Sequence, residues 1–462
     1  MHINKLHSIS LGILSLATVF GLTMTLAACN NGNHSAAVHY FSANDNIHDD
    51  ELWKTDGTTA GTVMVKDIFI GGPSSPAGLI KYNDSTYFSA NDGIHGRELW
   101  KTDGTENGTV LVKDIYPGGI TDSYPAEFTE LNNTLYFTAY DETHGTELWK
   151  SNGTSAGTMI VKDINTIGSS SPQGLTVFNG TLYFRASDDN NNTGLWKSDG
   201  TAQGTTFVKD ITPAYAYGGN IFTSFNGALY FTISDETNNG AELWKTDGTT
   251  GGTVMVKDIN SIGDSAPSYL SVLNDELFFI ADDGIHGIEL WKSNGTEDGT
   301  TMVKDINIGN SSFPFYLIAF NQKIYFSADD GVHGRELWKS DGTEEGTVLV
   351  KDIDTTNDTS ILSGSFPAYL DESLTEFNGE LYFNAYDSIN GSELWKTDGT
   401  ESGTQIVMDI NIGADSSSPH ELVPLGKVLL FNAVTNDTGV SLWSTDGTNS
   451  GTVMVKDIWP LF

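Results

Sequence analysis

From Val38 to Ile458 the apolar residues fall in short runs separated by Gly, Asn, Asp and Ser. One unit runs Leu135-Tyr136-Phe137, the turn Asp141 to Gly145, Glu147-Leu148-Trp149-Lys150, Asn152-Gly153-Thr154, Gly157-Thr158 and Val161-Lys162-Asp163-Ile164. A variable loop ending in Ser171-Pro172 follows, and the unit closes on Leu175-Thr176-Val177-Phe178. Runs of this length between turn residues predict a four-stranded antiparallel sheet: a (Leu-x-x-Phe), b (Leu-Tyr-Phe), c (Glu-Leu-Trp-Lys) and d (Val-x-Val-Lys-Asp-Ile). Asn179-Gly180 is a favoured hairpin dipeptide between a and b, and Asp-Gly-Thr-x-x-Gly-Thr joins c to d. Neighbours in a strand point to opposite faces. Leu148 and Trp149 therefore predict a sheet buried on both sides.

The unit recurs. Tryptophans at 53, 100, 149, 196, 244, 291, 338, 395 and 443 mark nine copies at a spacing of 47 to 49 residues, with one gap of 57. A two-sided sheet repeated at this period is what a β-propeller blade requires, since each blade is sandwiched between two others. An open array would need polar capping repeats at its ends, and none is visible. The expected fold is thus all-β, a monomeric propeller of nine blades, with eight blades and a packed remnant as the alternative. The pattern yields 35 strands rather than 36, which leaves one blade without its innermost strand.

Composition narrows the partners. Sixty Asp and Glu against 23 Lys and Arg give a formal charge of −37, which excludes electrostatic capture of nucleic acid or of an anionic bilayer by the folded body and leaves Ca²⁺ open. The single cysteine, Cys29, rules out a disulfide framework and a thiolate zinc cluster. It follows Lys5, an apolar stretch from Leu11 to Leu26, and Ala27-Ala28. That tetrapeptide, Leu26 to Cys29, resembles the lipobox of bacterial lipoproteins, in which the thiol takes a diacylglyceryl group and becomes the first residue of the mature chain. The expected organisation is a signal peptide over 1–28, a lipidated linker over 29–37 and the propeller over 38–462. Asn30 stands where Asp marks inner-membrane retention in such lipoproteins, so the resemblance implies an outer-membrane or cell-surface location.

The string Glu98-Leu99-Trp100-Lys101-Thr102-Asp103-Gly104-Thr105 and its copies resemble the bacterial ELWxxDGT repeat proteins across nearly the whole mature chain. The resemblance implies an exported, surface-associated, propeller-like protein and brings no established enzymatic activity. Copies four and nine depart from the pattern at the Glu position, with Gly194 and Ser441.

Propeller connectivity puts the a–b and c–d turns on one face and the b–c and d–a loops on the other. The first, hereafter the turn face, carries the invariant Asp-Gly-Thr segments and reads as scaffold. The second, the loop face, carries the differences between copies, where recognition is usually placed. His48, His95, His144, His286 and His333 share one b–c slot; one per blade is too widely spaced to hold a common metal ion, and a bond to local backbone is expected instead. Asp282, Asp283, Asp329 and Asp330 are the candidate Ca²⁺ ligands, although none has the spacing of an EF-hand loop. The d–a loops hold Tyr116, Tyr124, Tyr215, Tyr217, Phe313, Phe315, Tyr316, Phe366 and Tyr369, candidates for stacking on a sugar or a peptide and equally for plugging gaps between blades. The long spacing places an insertion near Asp354 to Glu372. Sixteen of the 23 basic residues are repeat lysines, expected to pair with Asp and Glu.

No G-x-S-x-G, H-E-x-x-H, Walker or Rossmann fingerprint occurs, so no catalytic residue is assigned. The first functional reading is a lipid-anchored binding or adhesion propeller for glycan or protein. The alternatives are a periplasmic scaffold lipoprotein of envelope assembly, and a Ca²⁺-dependent enzyme acting on polysaccharide or phosphoester.

Overall fold

The computed structural model describes residues 37–210, 221–235, 240–355 and 374–461. Cys29 and the leader lie outside them, as do Tyr215, Tyr217, Phe366, Tyr369 and most of the insertion. Among the described residues every regular element is a strand, and no helix is long and apolar enough to cross a membrane.

Nine four-stranded antiparallel sheets form a nine-bladed β-propeller. In the third blade strands a to d are Ala126–Leu131, Thr134–Asp141, Gly145–Ser151 and Met159–Lys162. The a strands of adjacent blades touch one another around the centre, so a is innermost. Each Leu and Trp of strand c serves a different inter-blade core: Leu99 of the second blade packs with Leu135, Phe137 and Trp149 of the third. Nine such clusters close the circle, the last joining Leu442 and Val455 of the ninth blade to Phe41 and Trp53 of the first.

The strand missing from the sequence reading is Trp459–Leu461, which pairs antiparallel with strand b of the first blade, His39–Asn44. It is only three residues long and lacks the Leu-x-x-Phe signature, which is why a motif count misses it. Its pairing of Asn44 with Trp459 matches the place where Ser75 and Pro76 lead into strand a of the second blade, so Pro460 occupies the repeat's proline position. There are 36 strands among the described residues, and the first blade is built from both ends of the propeller sequence.

The repeat lysines hold the ring in one direction. Lys54 Nζ donates to the Gly104 carbonyl of the next blade at 2.8 Å, and Lys66 Nζ to the Thr109 carbonyl at 2.9 Å. The pattern runs around to Lys456 and Thr62, which lock the ninth blade to the first at 2.8 Å. This corrects the expected pairing with Asp and Glu. Among the described residues only Lys292 with Glu276 and Lys396 with Glu380 make such pairs out of the sixteen. The reason is reach: a lysine leaving a strand face arrives at the neighbouring c–d turn, whose carbonyls point inward while its carboxylate is engaged with its own turn. Several of the strand-d lysines also lie over the next blade's indole, as Lys66 does over Trp100.

Candidate ligand-binding face

Turn-face geometry is uniform. Asp103 Oδ1 accepts from Thr105 N and Oγ1, Thr105 Oγ1 accepts from Gly108 N, and the buried Thr102 and Thr109 hydroxyls bond at 2.7 Å. Asn152 and Asn294 do the same work as Asp. The scaffold reading of this motif agrees with this geometry.

On the loop face, the Glu of strand c acts on the following d–a loop. Glu147 is fully buried and accepts from Ile164 N at 3.1 Å, Ser170 N at 2.9 Å and Ser170 Oγ at 2.5 Å. Glu51, Glu98, Glu242, Glu289 and Glu393 make equivalent bonds. Burial pushes Glu98, Glu242 and Glu289 up to about 7, with the serine and backbone donors opposing it. The exception at Ser441 has a physical cause. Two residues lie between Lys456 and Trp459 where eight separate Lys66 from Ser75, so the ninth blade has no long loop to hold. The loop after Gly194 falls largely outside the described residues.

Each b–c histidine bonds to a carboxylate and not, as expected, to backbone. Asp92 Oδ1 caps the turn by accepting from Ile94 N and His95 N, and its Oδ2 meets His95 Nδ1 at 2.7 Å. The same pairs recur at Asp45–His48, Asp141–His144, Asp283–His286 and Asp330–His333. The bond raises the imidazoles of His48, His95, His144 and His286 above their ordinary value. The candidate Ca²⁺ ligands fall into two blades: Asp282 and Asp283 cap one turn, Asp329 and Asp330 the next. Among the described residues no three His, Cys, Asp or Glu side chains are arranged to hold a metal ion.

The aromatic candidates divide. Tyr116 packs against Tyr140 with ring centroids 5.3 Å apart. Tyr124 is 60% exposed on the loop face and bonds Asp122. Phe313, Phe315 and Tyr316 come together and are joined by Tyr269 of the preceding blade, which lies 5.5 Å from Phe315 and 6.2 Å from Tyr316. The buried Arg335 guanidinium lies 4.8 Å from the Phe315 ring centre, and its Nη1 donates to the Phe313 carbonyl. Tyr269 and Tyr316 adopt the left-handed backbone region at φ 55° and 62°, at the position held by Gly78 and Gly174 in other blades. Such a conformation is costly for a bulky residue and is often kept for a purpose. The sequence signal for Tyr269 was the shared Pro-x-Tyr spacing after Pro267 and Pro314.

A second feature of this face went unread in the sequence. The d–a loops end in Ile70, Ile120, Ile167, Ile262, Ile308 and Ile412, and the b–c turns in Ile47, Ile94, Ile285, Val332 and Ile389. These side chains are 60–89% exposed. Each b–c turn is flanked by two d–a loops: Gly93 abuts the Phe69 ring, and Gly96 abuts Thr121. Among the described residues the tips therefore alternate along an annulus interrupted by polar b–c tips at Thr143, Asp188 to Asn192 and Asp437. Among the described residues, every large hydrophobic side chain more than half exposed lies on the loop face, Tyr124 and Trp459 included.

The sequence matches no protein-family model and no curated protein. Among solved structures it is similar to the computationally designed Ika8 protein at 12% identity and a TM-score of 0.42, covering 86% of this chain and 99% of that one. A puromycin hydrolase aligns at 12% identity and a TM-score of 0.38, over 78% of this chain and 58% of its own length. The β-propeller domain of the Trilobed protease from Pyrococcus furiosus aligns at 9% identity and a TM-score of 0.34, covering 82% and 97%.

Proposed function

We propose that this protein is a lipid-anchored binding propeller of the bacterial cell envelope, a surface member of the ELWxxDGT-type repeat proteins that presents its loop face to a glycan or protein ligand. The observation that carries the reading is the asymmetry of exposed apolar side chains, all of the most exposed ones among the described residues lying on that one face. The point of chain entry agrees with it. His39 pairs with Thr55 at the c–d end of the first blade, so the first strand of the propeller begins on the turn face.

Two measurements test this. Metabolic labelling with a fatty acid should mark the wild type and not Cys29→Ser. Protease shaving of intact cells should remove the mature chain while a periplasmic control survives. Full protection would overturn surface display and return the periplasmic scaffold reading.

A further inference from the structure

We propose that the isoleucine annulus is a docking surface for a cationic, amphipathic polypeptide. The proposal rests on the loop-face reading above and assigns the class of its ligand. Single exposed apolar residues need no explanation, but a ring of them on one face marks an interaction surface. Aliphatic tips offer neither a flat ring face nor a hydrogen-bonding group, which are the means by which sugars are held. They suit apolar side chains of another polypeptide, whereas Phe315 and Tyr316 are the groups suited to a glycan.

Charge selects among apolar partners. Asp122, Asp264 and Asp415 stand within three residues of Ile120, Ile262 and Ile412. The compensating lysines are drawn to the c–d turns of the opposite face, as with Lys101 on the Gly153 carbonyl and Lys113 on the Thr158 carbonyl. Arg97 and Arg335 are turned inward onto the Ser75 and Phe313 carbonyls. The face therefore presents aliphatic tips among carboxylates. A second copy would bring another chain of charge −37 against it, and an anionic bilayer would be repelled in the same way. A chain with basic and apolar residues on one side complements both features.

The test is fluorescence anisotropy of the mature protein with a dye-labelled Lys/Leu amphipathic peptide, beside an oligolysine of equal charge. A combined Ile94→Ser, Ile120→Ser, Ile285→Ser and Ile308→Ser variant changes only exposed tips, and its melting temperature should match the wild type. The expected result is at least a tenfold weaker Kd for the variant, and similarly weaker binding of oligolysine to the wild type. Equal binding by the variant, or by oligolysine, would overturn the proposal, as would finding that the annulus supports self-association or pelleting with zwitterionic vesicles instead of peptide binding. A glycan bound equally by wild type and variant, without peptide binding, would overturn the annulus proposal and leave loop-face recognition standing. Failure of that broader reading is scored separately, by the shaving experiment.

Discussion

Asp103, Asn152 and Asp199 hold their turns with bonds to the following Thr backbone of 2.8 to 3.1 Å, a device common to the whole turn face, whereas the loop face shares an Asp–His pair in only five b–c turns and its d–a loops differ from blade to blade. Both sets of connections hang on the same four strands. The difference lies in what touches them. Most c–d turns are gripped by the preceding blade, as Gly153 is through Lys101 on its carbonyl and the Tyr87 hydroxyl against its α-carbon, so a change there disturbs two blades. The outermost tip of a loop-face connection contacts solvent, and only its base is held by the buried Glu. One face is constrained by assembly, and the other is free to be selected for contact with something else.

The largest test removes an interface. Trp149→Ala should cost about 3–5 kcal/mol in chemical denaturation. Its indole N–H makes no hydrogen bond, so the loss is one of packing alone. Next, Glu98→Ala leaves Ile115 N, Tyr116 N and Ser123 Oγ without their acceptor and should cost about 2–3 kcal/mol. Limited proteolysis should then cut between 116 and 122 while the turn face stays resistant. Cutting at both faces alike would break the distinction drawn here.

A glycine pair sharpens it. Gly153 sits at φ +87°, and a Cβ there would overlap the Tyr87 hydroxyl of the neighbouring blade. Gly309, at φ +74°, has open space around it. Gly153→Ala should cost about 2–3 kcal/mol and Gly309→Ala about 1 kcal/mol, both by denaturant titration. The smallest effect is that of pH. Glu98, Glu242 and Glu289 keep a proton up to about 7 in the folded protein and release it near 4.5 when unfolded. Their contribution is full below about pH 4.5 and is lost as pH rises through 7. The raised histidines act with the same sign, losing their contribution as pH rises above 6.5. Asp92, Asp283 and Asp330 are lowered, and theirs is lost as pH falls below 3.8. Melting temperature measured by calorimetry should therefore be highest between about pH 4 and 6 and fall on either side.

Nine blades were legible in the tryptophan spacing, and burial of both sheet faces in the adjacency of Leu148 and Trp149, because repetition amplifies a signal that one blade would carry faintly. The closing strand was not, since three residues carry no period, although Pro460 stood in the proline slot. Lysine and histidine partners were misread because sequence gives the chemistry of a group and not the direction in which its strand aims it. The annulus escaped for a related reason. An isoleucine in Asp92-Gly93-Ile94-His95-Gly96 counts as apolar wherever it sits, and only its place at the apex of a turn shows that nothing covers it. Of the aromatic set, Phe313, Phe315 and Tyr316 were named from sequence, and Tyr269 joins them only through the meeting of two inner strands.

Closure through Trp459–Leu461 bears on how the chain is made. The first blade's b, c and d strands emerge from the ribosome some 400 residues before their partner does. Until then one edge of that sheet lacks its neighbour and the Lys456 lock on Thr62 is unset, so the circle cannot shut around a half-synthesised chain. A contact of such sequence separation is slow to find. If the chain is exported as proposed, this slowness delays final folding until the closing strand has crossed.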